Sequence, residues 1–304
     1  MTSTRGLSET ELLLRTMWEG GLDPVDRNGR PRVPLGSGPY SQLVRAVYPI
    51  AETRVPHVSR VLSNDECMRL YKGVAVANLG GLVLNTFLTI SWGLANLWEP
   101  WRVRKAQADF QEGISSWFQY RRRRERDFPR YAGVWVKEVG RTLGLHTHYL
   151  LHVPPRHLPV FRNWVRATIS KATESPRGLV RTTSTGRRLY VTDVRDLRSD
   201  IGAQWGVFRY MAKGLDPEEL IKTMPGTTWR MPASEYIGLS ETSEQGTVVG
   251  QRSGRSRAIS EATFATWREA YDEVLRWAWR SAGPGSLEYG NAFLIKGQLM
   301  GLRI

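Results

Sequence analysis

The alternation of apolar and polar positions changes period several times along this chain, and each change marks an element. Ser63-Asn64-Asp65 are helix-capping residue types, and the apolar-rich stretch behind them predicts a helix running toward Ala77. The 26 residues between Lys72 and Glu99 carry no charge, enough to span a bilayer as a helix. Asn78, Asn85 and Asn96, the Gly80-Gly81 pair and the β-prone LNTFLTISW argue instead for a helix end followed by a buried strand at about 84–92. In that strand Phe87, Thr89 and Ser91 oppose Leu88, Ile90 and Trp92.

From Arg102 to Arg126 the period returns to that of a helix, with Phe110, Ile114, Trp117 and Phe118 as its apolar positions and RRRRER at its end. Two strands at 133–138 and 146–153, with a glycine-containing turn at 140–144, predict a hairpin. Pro154-Pro155 open a helix through about Lys171, a strand RLYVTDV covers 188–194, and a helix from about Ser199 ends at Lys213 before Gly214. Asp216-Pro217 have the residue types that restart a helix. A Gly/Ser/Arg-rich loop at 246–257 precedes a last helix from Ser260, with Phe264, Trp267, Tyr271, Val274 and Leu275 at helical spacing. Ahead of all this, Ser8 and Glu11 have capping-box spacing before LLLRTMW, and a Gly/Pro-rich loop follows. The division expected is an N-terminal helical and loop extension at 1–60, a main domain at 61–225, and a basic loop with a C-terminal helix extension at 226–304.

Composition narrows the partner. The 304 residues are 41% hydrophobic and 24% charged, ordinary for a globular chain, but 43 Lys and Arg against 29 Asp and Glu give a net charge of +14. Such a field attracts polyanions, nucleic acid first among them. A single cysteine, Cys67, excludes an internal disulfide and a cysteine-based zinc finger, and suits a reducing compartment. No signal-peptide pattern opens the chain, so the cytoplasm is the expected location and no membrane is expected. No G-x-x-x-x-G-K-[ST] loop is present, which argues against a phosphate-loop ATPase.

Candidate chemistry lies on the hairpin. Alternate residues of a strand share a face, so His146 and His148 stand side by side, and a hairpin fold can bring Glu138 beside His146. Two imidazoles and a carboxylate make a site for a divalent metal with positions left for substrate oxygens. In QWGVFRYMAKGL, Tyr210 and Lys213 are three residues apart on one helix face.

An apolar strand FLTIS, a hairpin with Glu138 and GLHTHYLLHVP, then a helix carrying Tyr210-Met-Ala-Lys213 together resemble the HUH endonucleases, specifically the single-tyrosine rolling-circle replication initiators of plasmids and small DNA viruses. The resemblance covers about residues 84–215. It implies an α/β fold of the α+β type, with a central antiparallel sheet flanked by helices. It also implies His146, His148 and Glu138 as ligands of Mg²⁺ or Mn²⁺, Tyr210 as nucleophile and Lys213 as a helper cation. Thr147 stands where that family has a bulky apolar residue, and His152 extends the pattern toward the three-histidine site of relaxases. In relaxases, however, the tyrosine precedes the histidines. The reaction implied is a nick in single-stranded or origin-hairpin DNA that leaves a 5′-phosphotyrosine and a free 3′-hydroxyl.

No helicase motif accompanies these residues, so a host helicase and polymerase are expected partners, and repeated rounds would need a second subunit or another tyrosine. Arg121, Arg122, Arg123, Arg124, Arg252, Arg255 and Arg257 are the expected contacts to the DNA backbone. Three alternatives stand beside this reading. They are a transposase or relaxase with the same chemistry, a non-catalytic basic DNA-binding module, and a membrane protein anchored through 73–98.

Overall fold

A computed structural model describes residues 58–304 apart from 98, 141–142, 175–179, 183–185, 187, 217–219, 223–229, 244 and 282–286. The expected N-terminal helix behind Ser8 lies outside the described residues. The fold is mixed α/β, an antiparallel five-stranded sheet with helices on both faces.

Helix α1 (Asn64–Leu79) starts at Ser63 with a reciprocal cap: the Glu66 amide donates to Ser63 Oγ at 3.3 Å, and the Ser63 amide donates to Glu66 Oε2 at 3.1 Å. Strand β1 (Thr86–Ser91) follows, buried along its whole length because helices cover both sides of it. Helix α2 (Pro100–Arg124) begins with proline, which gives up no helical hydrogen bond there, and ends on four arginines whose charge suits a helix C-terminus. The hairpin of β2 (Gly133–Gly140) and β3 (Gly144–Leu151) comes next, then α3 (Leu158–Ala172), β4 (Thr192–Asp196) and α4 (Ile201–Ala212). Strand β5 (Ser253–Arg255) and helices α5 (Glu261–Thr266), α6 (Arg268–Ser281) and α7 (Leu287–Leu299) complete the main body. Strand order is β5-β2-β3-β1-β4, each neighbouring pair antiparallel.

Side-chain alternation sorts the core into two layers. On one face Phe87, Val134, Val136 and Leu150 pack with α1, α4, α6 and α7 through Leu70, Tyr71, Trp205, Tyr271 and Phe293. On the other, Leu88, Ile90, Tyr149 and Leu151 meet Phe110, Ile114 and Phe118 of α2 and Phe161, Val165 and Ile169 of α3. Helices α5, α6 and α7 therefore share a core with the hairpin. No helix among the described residues is long and apolar enough to cross a membrane, and 73–97 forms the end of α1, β1 and turns.

Several expectations change in detail. The strand at 188–194 is two strands: Arg188–Tyr190 pairs with Val180–Thr182, while β4 joins the main sheet. The helix expected behind Asp216-Pro217 is not continued. Leu220–Lys222 is a strand paired with Arg230–Pro232, a pairing with a distant segment that overrides the local cap signal. The loop at 246–257 contains Val248–Val249, paired with Val58–Ser59, and β5, which draws its pairing from β2 rather than from any β-propensity of Ser-Gly-Arg. The last helix breaks at Trp267 into α5 and α6.

Candidate metal centre and tyrosine site

The hairpin register sets Glu138 directly opposite His146, and His148 faces Val136 on one side and Thr89 on the other. Their side chains share the sheet face that α4 covers. Gly140 makes room for the first histidine: a Cβ there would stand 3.1 Å from His146 Cε1.

All three side chains are buried, Glu138 with only 1% of its surface exposed. His146 Nε2 and His148 Nε2 each lie 2.8 Å from Glu138 Oε1. His146 Nδ1 donates to the Gly144 carbonyl at 2.8 Å, because a carbonyl oxygen can only accept. That bond fixes the ring so that Nε2 is turned toward the Glu138 carboxylate. His148 Nδ1 is held 2.9 Å from Thr89 Oγ1, which orients its ring the same way. Burial pulls the His148 pKa down to about 4 against the pull of Glu138, so its ring is neutral at physiological pH. Burial alone would raise Glu138, but the contacts with His146 and His148 outweigh it and hold the carboxyl well below the usual carboxylate range. Neutral imidazole and ionised carboxylate are the forms that ligate metals.

The fit to a small divalent cation is good. Adjacent ligands of a six-coordinate ion at about 2.1 Å stand roughly 3 Å apart, close to the Nε2-to-Oε1 separations. One donor atom from each of the three residues lies within 4.8 Å of the others. Glu138 Oε2 and Ser91 Oγ, the latter on the residue opposite His146, are buried with no hydrogen-bond partner. Buried orphan oxygens beside a ligand set call for an ion or its water.

Helix α4 brings the remaining two residues. Asp200 caps it, accepting from the Gly202 and Ala203 amides at 2.7 and 3.1 Å. Its buried face is Ile201, Gln204, Trp205, Phe208, Met211 and Ala212, which leaves Tyr210 46% exposed at the edge of the site. The Tyr210 ring meets His148 edge-on at 5.3 Å between centroids, and Phe87 stacks on the other side of the network at 5.1 Å from His148. Lys213 Nζ sits 3.8 Å over the Tyr210 ring and donates to Glu138 Oε1 at 3.1 Å, so one ammonium touches both the carboxylate and the tyrosine. All five residues expected at the site, Glu138, His146, His148, Tyr210 and Lys213, converge.

His152 is elsewhere. Its Nδ1 donates to the Val83 carbonyl at 2.7 Å, one strand-end away from the cluster. Among the arginines, Arg252 corrects the expectation of a backbone contact: it is 1% exposed, and its guanidinium donates to Ser59 Oγ and the Ser59 and Gly246 carbonyls. Arg255 is held by Glu261 and the Arg69 carbonyl, while Arg257 is exposed. Arg121 to Arg124 are on α2, across the sheet from the triad.

Sequence reading missed the residues that aim the others. Thr89 shares a face with Phe87 by simple alternation, a usable signal for the histidine's partner. The buried pair Asn78 and Gln204, which exchange hydrogen bonds at 3.0 and 2.9 Å and clamp α4 to α1, left no local trace. Comparison with models of known families, with curated proteins and with solved structures finds no match for this chain.

Proposed function

We propose that this protein is a metal-assisted DNA-nicking and strand-transfer enzyme of the HUH type, acting as a rolling-circle replication initiator on single-stranded or hairpin DNA. The observation that carries this reading is the junction of a Glu138-His146-His148 ligand set with Tyr210 through Lys213. A Mg²⁺ or Mn²⁺ held by the triad would supply Lewis-acid polarisation of a phosphoryl oxygen.

The chain's own residues account for the rest. Tyr210 Oη gives up its proton to water and attacks the scissile phosphorus, the bond to the 3′-oxygen breaks, and that oxygen leaves as a 3′-hydroxyl after taking a proton from water. Phosphate stays on Tyr210, so the bond energy is kept for rejoining. A neutral phenol is a weak nucleophile, and the Lys213 ammonium over the Tyr210 ring favours the negative charge that develops on the phenol as it attacks. Half-exposure lets Tyr210 meet a strand, while Glu138, His146 and His148 are buried.

The test is a denaturing gel of protein incubated with labelled single-stranded DNA pools, including DNA flanking the gene, and Mn²⁺. Wild type should give a covalent band that disappears with chelator and in Tyr210→Phe, with DNA binding within about twofold of wild type. A band that survives in Tyr210→Phe moves the nucleophile elsewhere. No band on any DNA leaves the non-catalytic DNA-binding module as the better account.

A further inference from the structure

Helices α2 and α3 form a second charged surface, on the sheet face opposite the metal centre. They run antiparallel, since Trp117 packs on Phe161, Gly113 abuts Trp164 and Thr168, and Glu125 reaches Arg156. The C-terminal half of α2 thus lies along the N-terminal half of α3. From Gly113 to Arg124 there is no acidic residue, and from Pro154 to Thr173 there is none either. Arg122, Arg123, Arg124 and Arg166 are exposed, and Arg121 and Arg162 are half-buried between them with the Nε of each lacking a hydrogen-bond partner. Glu125, the acid directly after the run, is already shared by Arg156 and His157.

We propose that this α2–α3 surface is a duplex-DNA anchor, distinct from the cleft that cuts. It rests on the nucleic-acid part of the functional reading and not on cleavage. Three observations select the occupant. Apart from Lys171 at the far end of α3, the exposed cations of this face are arginines, whose planar fork pairs with phosphate oxygens in two-point contacts. Little aromatic surface is offered for base stacking: Trp117 and Phe161 are buried between the helices, and Tyr120, 47% exposed, already carries the Arg124 guanidinium over its ring at 4.4 Å. The face is the outside of two packed helices, so it meets phosphates without enclosing a strand. Phosphate contacts without base contacts suit a rigid duplex held independently of sequence. The origin-flanking duplex would sit on one layer while an extruded strand passes round the sheet edge to Tyr210.

Full-length protein with His148→Ala, which removes cleavage from the measurement, is titrated without metal into a labelled 20-base-pair duplex and into a single strand of the same length. Arg122→Glu with Arg166→Glu should weaken duplex binding by at least tenfold, flatten the dependence of log affinity on log salt by about 2, and leave single-strand binding nearly unchanged. Arg122→Gln with Arg166→Gln should fall between, and circular dichroism checks that both variants fold. Unchanged duplex affinity in folded variants overturns the anchor, as does an equal loss of single-strand binding. Loss of binding to vesicles of anionic phospholipid, with duplex binding intact, also overturns it and assigns the surface to a membrane. Duplex binding lost as expected in a protein that forms no tyrosine adduct would keep the anchor and discard the nuclease.

Discussion

Lys213 is the residue on which the site turns, because one ammonium touches the Glu138 carboxylate and the tyrosine ring. Lys213→Met should lower the rate of adduct formation by about a hundredfold, with substrate affinity much less changed, measured by single-turnover kinetics. Thr89→Val, which keeps shape and removes the hydroxyl beside His148 Nδ1, should weaken Mn²⁺ binding by roughly tenfold in titration calorimetry, whereas His148→Ala should abolish it. Cys67 lies at the other extreme. Burial, and then the neighbouring Glu66 charge, push its thiol up to about 12, so it should stay unreactive toward a maleimide until denaturant unfolds the chain. At this scale the sequence was informative wherever chemistry coincided with strand or helix period: His146, His148 and Glu138 on alternating positions, Tyr210 and Lys213 a turn apart. It was uninformative for Arg252, whose loop-like neighbours hide that its charge is spent on backbone carbonyls.

Elements are held in place by contacts between residues distant in the chain, and these are the least legible part of the sequence. The capped start of α1 and the hairpin could be read locally. The placement of α4 depends on Gln204, whose oxygen accepts from Asn78 and from the Leu84 amide. Gln204→Leu should cost about 1–3 kcal/mol in urea unfolding, since it strands buried donors of Asn78 and Leu84. It should also slow nicking, by loosening the helix that presents Tyr210. Helix α7 shows the same dependence on fit. A Cβ at Gly297 would lie 1.6 Å from the Leu79 carbonyl oxygen, so Gly297→Ala should displace α7 from α1 and lower the thermal midpoint sharply. Nothing in LIKGQLM marks that glycine as an interface residue.

For the molecule as a whole, acid should be the vulnerable direction. Burial holds the His152 pKa below its ordinary 6.5, so above that pH folded and unfolded chains bind equal numbers of protons there. As the pH falls below 6.5, the unfolded chain gains a proton that the folded one refuses, and stability declines until the folded pKa is passed. The thermal midpoint should fall between pH 7 and pH 5, and His152→Gln should reduce that fall; an unchanged slope would mean that His152 is not the group responsible. Global architecture was legible as a class, strands bracketed by helices, while the strand order was not. The reason is β5, a Ser-Gly-Arg stretch that joins the sheet only because β2 lies beside it. During synthesis the site-bearing hairpin therefore emerges long before its outer neighbour, and its open edge waits for residues 253–255. Until that strand docks, the nascent chain carries an unpaired row of amides next to its ligand residues, which makes this interval the one in which a chaperone would matter most.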